Sequence, residues 1–290
     1  MRLHLLDATY ELFRAYFGPP PRRSPDGREV GAVAGLAQSV LSLLREDGVT
    51  HLAAATDQVI RSFRNDLFLG YKTEAGVPAD LLAQFPLAER ALEALGVVVW
   101  AMDFYEADDA LASGAVRFLD QVDQVVILTP DKDMAQCVLG ERVVLYDRRR
   151  QIAYDERGVT EKFGVVPASI PDYLALVGDS SDGYPGLPGW GARSAAALLA
   201  RYRHLELIPL ERTLWQVPLR GAERLAAALR RGMGEALLYR YLATLRTDVP
   251  LGESFEDLEW RGVRREQFLD LCEELGFEDL RARPHRWRER

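Results

Sequence analysis

The sequence predicts an α/β protein with a mainly parallel central sheet, flanking helices and a smaller second domain that is all helical. Three observations indicate this fold class. In the first half of the chain, apolar runs of strand length alternate with segments of helical periodicity. Four of these apolar runs end at an aspartate. Beyond about residue 159 the strand pattern disappears, and short helices with turn signals replace it.

The four apolar runs are predicted to be parallel strands because helical segments separate them. They are Leu3–Leu6 before Asp7, Leu52–Ala55 with Thr56 before Asp57, Val97–Met102 before Asp103, and Val125–Leu128 before Asp131. Two further runs joined by a charged turn predict a terminal hairpin, with strands at Val143–Tyr146 and Ile152–Tyr154.

Apolar residues at helical spacing predict the elements between the strands. These helices are Gly31–Arg45, Leu81–Leu95 with Gly96 as its C-terminal signal, Ala107–Leu119 and the short Lys132–Val138. Two stretches do not fit the alternation. Gly18–Glu29 contains four prolines and is predicted to be a mobile loop, and Gln58–Pro86 is long enough for a lid or binding loop.

The domain organisation follows from the loss of the strand pattern. We expect an α/β domain over residues 1–158, with an arch or loop at about 58–86, and a helical domain over residues 159–246. A C-terminal helical extension would occupy residues 247–290. Within these regions, the spacing predicts helices over Ala192–Tyr202 and Arg264–Leu275.

Composition excludes several classes of protein. The chain has 290 residues, 48% hydrophobic and 28% charged, which is typical of globular proteins. No apolar run approaches the ~20 residues of a membrane span, and the N-terminus begins with a strand, so a cytoplasmic protein is expected. Cys137 and Cys272 are far apart and predict two buried thiols without a disulfide.

Acidic residues are concentrated where the predicted strands end. The carboxyl ends of parallel strands form the ligand crevice of an open α/β sheet. Carboxylates that converge there without lysine or arginine partners would repel one another, and Mg²⁺ or Mn²⁺ would relieve the repulsion. The clusters are Glu106-Ala107-Asp108-Asp109, Asp131-Lys132-Asp133 and, in the helical region, Gly178-Asp179-Ser180-Ser181-Asp182. Taken singly, each acid is better explained by helix capping or a turn. Three acids within Glu106-Ala107-Asp108-Asp109, however, exceed what capping needs.

Two further features indicate nucleic acid. Gly186-Leu187-Pro188-Gly189-Trp190-Gly191 precedes a predicted helix, so its backbone N–H groups could bind a phosphate. Cationic and aromatic residues follow the first two strands, and they are Arg14, Arg61, Arg64, Tyr71 and Lys72. The net charge of −8 by itself argues against a nucleic-acid partner. If nine acids, named below, belong to a metal site, 36 basic residues face 35 remaining acidic residues, which gives a charge of +1. The four histidines have no metal-ligand spacing.

These motifs, in this order, resemble the 5′–3′ exonuclease/flap endonuclease family, which includes the 5′ nuclease domains of bacterial DNA polymerases. The similarity runs from residue 3 to about residue 280. The stretches that carry it are Leu5–Asp7 with Phe13–Tyr16, Thr56-Asp57, Ser62–Arg64, Gly70–Lys72, Tyr105–Ala110, Leu128–Asp133 and Gly178–Gly186.

The resemblance implies a PIN-like nuclease domain, a helix–three-turn–helix domain and nine metal-site carboxylates. Those carboxylates correspond to Asp7, Asp57, Glu106, Asp108, Asp109, Asp131, Asp133, Asp179 and Asp182. It also implies that Arg14, Arg64, Tyr71 and Lys72 contact DNA or the scissile phosphate, that part of Gln58–Pro86 forms a helical arch, and that the hairpin holds K⁺.

Three departures from the family pattern are visible in the sequence. No polymerase segment is present, so a stand-alone nuclease is expected. Thr73-Glu74-Ala75-Gly76 follows Lys72 where relatives carry an arginine, which weakens the charge of the arch. The hairpin continues as Gly191-Ala192-Arg193-Ser194, which keeps a cation at Arg193.

The expected function is metal-dependent hydrolysis of DNA phosphodiester bonds at 5′ ends and 5′ flaps, with two or more Mg²⁺ or Mn²⁺ ions. Asp109 would act at the metals, and Lys72 and Arg64 would supply positive charge in the transition state. We expect DNA as partner, a monomer, and neither a membrane nor a nucleotide cofactor. The alternatives are a PIN-type ribonuclease and a non-catalytic protein that binds DNA structures.

Overall fold

The computed structural model describes residues 1–289, which form two compact units. The sheet unit comprises Met1–Ser62, Glu74–Thr129 and Thr247–Arg290, of which residue 290 is not described. The helical unit comprises Phe63–Thr73 and Pro130–Arg246. The helical unit ends at Arg246, as the predicted helical domain does, but it begins at Pro130 rather than at residue 159 and also includes Phe63–Thr73. One reason is that a 3-10 helix at Asp133–Cys137 packs against elements of the helical unit.

Four parallel strands form the sheet of the sheet unit, in the order β3-β2-β1-β4. The strands are β1 (Arg2–Asp7), β2 (His51–Asp57), β3 (Val98–Met102) and β4 (Gln124–Leu128). Leu5 pairs with Ala53 on one side and with Ile127 on the other, and all three are buried. Burial on both faces explains why these strands read as continuous apolar runs. The predicted mainly parallel sheet is confirmed.

Eleven α-helices lie within residues 1–289. In chain order they are α1 (Ala8–Phe17), α2 (Gly31–Leu43), α3 (Arg64–Leu67), α4 (Ala79–Leu82), α5 (Phe85–Ala94), α6 (Ala107–Phe118), α7 (Glu156–Phe163), α8 (Ile170–Val177), α9 (Ala192–Tyr202), α10 (Ala222–Ala243) and α11 (Arg265–Leu275). Helices α3 and α7–α10 belong to the helical unit, so its predicted helical character is confirmed.

Helix α1 was not predicted, although its N-terminus carries a local signal. Asp7 ends β1 and also caps α1, since its Oδ1 accepts a hydrogen bond from the Tyr10 N–H at 2.8 Å. Glu11 follows in the first turn. An N-cap aspartate followed by an acid in the first turn is a helix-start pattern. The aspartate at this strand end therefore has a structural role in addition to any functional one.

The predicted helix over Leu81–Leu95 is wrong in its first part, because Pro86 starts a new helix, α5. A side chain at the break between the two helices bonds to another helix. The Gln84 side chain lies at the break, and its Oε1 accepts hydrogen bonds from the N–H groups of Ala32 and Val33 at 3.0 and 3.2 Å. Gln84 thereby satisfies the first turn of α2, which has no side-chain cap of its own.

Three smaller predictions can also be compared with the structure. The segment Lys132–Val138 is a 3-10 helix over Asp133–Cys137 rather than an α-helix. The hairpin is confirmed as antiparallel strands β5 (Val143–Asp147) and β6 (Ile152–Tyr154). The loop predicted to be mobile, Gly18–Glu29, contains a hydrogen-bonded turn in which the Gly27 N–H donates to the Ser24 carbonyl at 2.9 Å.

Neither Cys137 nor Cys272 forms a disulfide. Cys272 is buried as predicted, and burial raises its pKa to about 11. Cys137 is only half-buried, so the prediction of two buried thiols is correct for one of them. Among residues 1–289 we find no helix whose length and apolar character would allow it to cross a bilayer.

His4 makes the stability of the fold dependent on pH. It lies on β1 with 6% of its surface exposed, and its Nδ1 has no hydrogen-bond partner. Burial first, and then the charge of Arg2, lowers its pKa from 6.5 to about 4. Between these values the unfolded chain binds a proton that the folded protein does not. Stability is therefore complete above pH 6.5 and falls toward pH 4, by about 3 kcal/mol in total.

We expect His4→Gln to remove most of this acid-side loss. Urea unfolding of the two proteins at several pH values between 4 and 7 measures the difference. In the variant, the slope of unfolding free energy against pH should be smaller by the amount that corresponds to about one bound proton. Identical slopes would show that His4 does not control acid sensitivity.

Candidate active site

An acidic cluster of three buried carboxylates lies within the helical unit. Asp133 begins the 3-10 helix after β4, and Asp179 and Asp182 lie on the turn after α8. One oxygen from each side chain lies within 4.8 Å of the others. In residues 1–289 no other group of three or more potential ligands meets this criterion. We refer to Asp133, Asp179 and Asp182 as the acidic cluster.

The turn that carries Asp179 and Asp182 is built on two glycines. Gly178 ends α8 with φ +86° and ψ 166°, and Gly186 has φ +69°. A Cβ on Gly178 would lie 2.4 Å from the carbonyl carbon of Pro185, and one on Gly186 would lie 2.4 Å from the Gly178 nitrogen. The two backbone segments therefore approach more closely than any side chain allows.

Hydrogen bonds within the turn orient its carboxylates. The Asp179 N–H donates to the Tyr184 carbonyl and the Gly183 N–H donates to the Asp179 carbonyl, both at 2.8 Å. The Asp179 Oδ1 accepts from the Ser181 N–H at 2.9 Å. The sequence prediction that Asp179 and Asp182 lie on one side of a turn is consistent with this geometry.

Asp133 is the electrostatically strained member of the cluster. It is 6% exposed, and its Oδ1 is buried without any hydrogen-bond partner. Burial, followed by the charges of Asp131, Asp182 and Asp179, raises the pKa of Asp133 well above its ordinary value of 3.8. An unpartnered carboxylate oxygen beside two other carboxylates is the environment that a divalent cation relieves. The residues present therefore fit a metal ion.

Two lysines pair with the cluster, which corrects the prediction of carboxylates without basic partners. The Lys132 Nζ lies 2.7 Å from the Asp179 Oδ2, and the Lys72 Nζ lies 3.1 Å from the Asp182 Oδ1. Sequence reasoning missed Lys132 as a partner, although it stands between Asp131 and Asp133. Asp131 itself is exposed, and its Oδ1 accepts the Asp133 N–H at 2.9 Å, so it caps the 3-10 turn.

The sheet unit places its five predicted metal ligands at the carboxyl end of the strands. Asp7 ends β1 and Asp57 ends β2, while Glu106, Asp108 and Asp109 begin α6 after β3. The Asp57 Oδ1 accepts the Ala107 N–H at 2.8 Å, which joins the end of β2 to the start of α6.

These carboxylates also have protein donors. The Asp7 Oδ2 accepts from the Thr129 hydroxyl at 2.8 Å, and the Glu106 Oε1 accepts from the Ser62 hydroxyl at 2.6 Å. Asp109 is fully buried, and its Oδ2 accepts the Glu106 N–H at 3.0 Å, completing a capping box. The capping alternative considered from the sequence is thus realised at α6, and it fixes these carboxylates at the sheet edge.

Arg64 is buried and hydrogen-bonded within the helical unit. Only 1% of its surface is exposed, and its Nε and Nη2 donate to the carbonyls of Leu242 and Thr244 at 2.8 and 3.1 Å. These carbonyls lie at the C-terminus of α10, where a cation is favourable. In this structure Arg64 therefore stabilises the helical unit, and its contact with DNA or the scissile phosphate stays a prediction.

The predicted arch contains little helix. The helices between Gln58 and Pro86 are α3 and α4, of four residues each, and the start of α5. Tyr71 is buried, and its hydroxyl donates to the Asp182 Oδ2 at 3.3 Å, so it faces the acidic cluster. Arg61 is exposed. Arg14 is partly exposed and forms an ion pair with Glu11.

The glycine hairpin before α9 presents backbone to solvent. Gly189 is exposed with φ +82°, and Gly191 is the N-cap residue of α9. Trp190 is buried between them, and its Nε1 donates to the Leu225 carbonyl at 3.3 Å, which anchors the hairpin on α10. Arg193 is exposed in the first turn of α9.

The fold, a parallel sheet combined with a helical unit, is similar to that of solved structures. A structure of T5 5′-exonuclease with bound zinc ions matches 95% of this chain and 100% of its own length, with a TM-score of 0.68 at 16% identity. The catalytic core of Rad2 in complex with DNA substrate matches 95% of this chain and 88% of its own length, with a TM-score of 0.63 at 16% identity.

The chain belongs to the 5′–3′ exonuclease family. Residues 2–164 match its N-terminal resolvase-like domain, and residues 165–266 match its C-terminal SAM fold. DNA polymerase I of Mycobacterium leprae is 34% identical over 288 residues, which cover 97% of this chain and 31% of that protein. The chain thus spans about a third of the length of this curated relative. The family resemblance inferred from the sequence motifs is confirmed.

Proposed function

We propose that this chain hydrolyses phosphodiester bonds of DNA at 5′ ends and 5′ flaps, with Mg²⁺ or Mn²⁺ as cofactor. The observation that carries the proposal is the buried acidic cluster, in which the Asp133 Oδ1 has no partner in the protein. Such an oxygen costs free energy unless a cation or donor reaches it. Membership of the 5′–3′ exonuclease family supports the same reaction.

The carboxylates divide into two candidate ligand sets. Asp133, Asp179 and Asp182 would hold one cation, with Asp131 beside them. At the carboxyl edge of the sheet unit the candidate ligands are Asp7, Asp57, Glu106, Asp108 and Asp109. Bound divalent cations would supply a water of lowered pKa and a counter-charge for the leaving oxygen. Mg²⁺ retains several waters, so some of these acids would act through water.

Lys72 has two mutually exclusive partners in this proposal. In the structure its Nζ pairs with Asp182, and 29% of its side chain is exposed. A cation bound to the cluster would replace Lys72 as the counter-charge of Asp182. Lys72 could then turn its ammonium group toward the scissile phosphate, where a positive charge stabilises the developing negative charge.

DNA contacts are proposed for the glycine hairpin and for the exposed basic residues Arg193, Arg61 and Arg14. The backbone N–H groups of Gly189 and Gly191 would bind phosphate without reading bases, and the hairpin is also a candidate K⁺ site. A cytoplasmic monomer acting in DNA repair or replication completes the proposal.

Cleavage of a labelled 5′-flap duplex tests the proposed reaction. We expect product with Mg²⁺ or Mn²⁺ and none with EDTA. Asp182→Asn should reduce cleavage at least about 100-fold, because it removes a ligand from the cluster. Asp270→Asn is the matched control, since Asp270 is exposed on α11 and lies outside both ligand sets. Equal product with Mg²⁺ and with EDTA would refute the metal mechanism.

Two further arms separate the alternatives. Single-stranded RNA of the same sequence tests the ribonuclease hypothesis, which predicts faster cleavage of RNA than of flap DNA. Binding of flap DNA without cleavage in either metal would instead favour a non-catalytic DNA-structure binder. In that case Lys72 and Lys132 would be the permanent counter-charges of the acidic cluster.

A further inference from the structure

Tyr184 carries a second buried polar atom without a partner beside the acidic cluster. Only 1% of the residue is exposed, and its hydroxyl has no hydrogen-bond partner. The backbone of Tyr184 pairs with that of Asp179, and its ring stacks on Tyr239 with centroids 5.7 Å apart. The ring is therefore fixed by packing, and its hydroxyl cannot reach solvent to recover a hydrogen bond.

The hydroxyl lies within the electrostatic field of all three cluster carboxylates. Burial raises the pKa of Tyr184, and the charges of Asp133, Asp182 and Asp179 raise it further, while Lys72 lowers it. A tyrosine phenol is neutral near pH 7 even at its ordinary pKa, so the hydroxyl can act as a hydrogen-bond donor. A buried donor that makes no hydrogen bond costs about 1–3 kcal/mol. The Asp133 Oδ1 is a second such orphan atom. Tyr184 pairs with Asp179 of the cluster and is affected by the charge of Asp133.

We propose that Tyr184 is a positioning residue of the metal centre, whose hydroxyl donates a hydrogen bond to a water molecule carried by the cation at Asp133, Asp179 and Asp182. This inference rests on the proposed function and adds a residue to it. A neutral phenol is a poor direct ligand for Mg²⁺, which prefers carboxylates and waters. A donor just outside the coordination sphere orients a metal-bound water and tightens binding. The cation would thus satisfy both orphan atoms together.

Tyr184→Phe tests the proposal, with Mn²⁺ binding measured by titration calorimetry on the full chain. Phenylalanine keeps the ring on Tyr239 and removes only the hydroxyl. We expect Mn²⁺ affinity to fall about 10-fold or more. The melting temperature of the metal-free protein should stay the same or rise, because an unsatisfied polar group has been removed.

Tyr239→Phe is the matched control. Tyr239 is also buried and belongs to the same stacked pair, but the carboxylate that raises its pKa after burial is that of Glu235. It should leave Mn²⁺ affinity unchanged. A melting temperature lowered by Tyr184→Phe with unchanged Mn²⁺ affinity would show a purely structural role and overturn the proposal.

Asp182→Asn separates failure of this proposal from failure of the proposed function. Loss of Mn²⁺ binding in Asp182→Asn, together with unchanged binding in Tyr184→Phe, would overturn the role of Tyr184 alone. Unchanged Mn²⁺ binding in Asp182→Asn would overturn the metal site itself, and the role of Tyr184 with it.

Discussion

Asp133→Asn is expected to change stability in opposite directions with and without divalent metal. In the metal-free protein the substitution removes a buried carboxylate that has an unpartnered oxygen and lies beside other carboxylates. We expect the free energy of unfolding to rise by about 1–2 kcal/mol. With metal, the same substitution removes a ligand, so stabilisation by the cation is lost.

The size of the metal effect follows from mass action. A ligand present at about 100 times its Kd stabilises a folded protein by about 2.7 kcal/mol, which corresponds to roughly 5–10 °C in melting temperature for a chain of this size. The parent protein should show this upward shift when Mn²⁺ is added, and Asp133→Asn should show none. Thermal melts with Mn²⁺ and with EDTA measure both effects, with Asp270→Asn as control. A lower melting temperature for Asp133→Asn in EDTA would contradict the prediction.

The metal-free proteins should also differ in their response to pH. The pKa of Asp133 is raised in the folded state, so the folded protein keeps a proton that the unfolded chain releases above about pH 3.8. Its contribution to stability therefore declines as pH rises from there through the raised pKa. Asp133→Asn lacks this decline, which unfolding in EDTA across that pH range can detect.

Gly178→Ala should strongly destabilise the helical unit. The backbone of Gly178, with φ +86° and ψ 166°, is in a region that essentially only glycine occupies, and the new Cβ would clash with Pro185. Relief requires the turn that carries Asp179 and Asp182 to move. We expect a loss of at least about 3 kcal/mol in unfolding free energy and of Mn²⁺ binding.

Gly234→Ala is the matched control for this prediction. Gly234 lies inside α10 and is exposed, and no atom lies within 4 Å of the position that an added methyl group would take. It should stabilise the protein by about 0.5–1 kcal/mol, as alanine does in a helix interior. Urea unfolding of both variants measures the changes in stability, and Mn²⁺ titration measures the change in metal binding. A Gly178→Ala protein with normal metal binding would show that the turn tolerates the side chain.

The parallel sheet was predictable because its signal is local. Each strand of the sheet unit is an apolar run that ends at an aspartate or close to one, and the ends of parallel strands meet at one edge by geometry alone. The turn after α8 was equally predictable, because Gly178, Asp179 and Asp182 are near neighbours in the sequence. Local spacing was therefore sufficient wherever the interacting residues are close along the chain.

The partners of Arg64 and Lys132 in the structure could not be predicted from the sequence, for a common physical reason. Arg64 stands among residues that suggest a phosphate clamp, yet its carbonyl partners are Leu242 and Thr244, far along the chain. Lys132 pairs with Asp179, again a distant residue. The residue type determines the charge of a side chain, but spacing along the chain does not reveal how deeply that side chain is buried. Burial decides whether a cation faces a ligand or neutralises an internal group.

The order in which the units can be completed on the ribosome follows from how the chain is divided between them. The helical unit takes its last residue at Arg246, whereas the sheet unit still needs residues 247–289. The Trp260 Nε1 bonds to the Leu95 carbonyl at 2.8 Å, and the Arg264 N–H bonds to that of Ala94 at 2.9 Å. The strands of the sheet are therefore synthesised first, but the sheet unit is complete only after the C-terminal segment has been synthesised. An excised fragment beginning at Pro130 would lack Arg64 and leave the end of α10 uncapped.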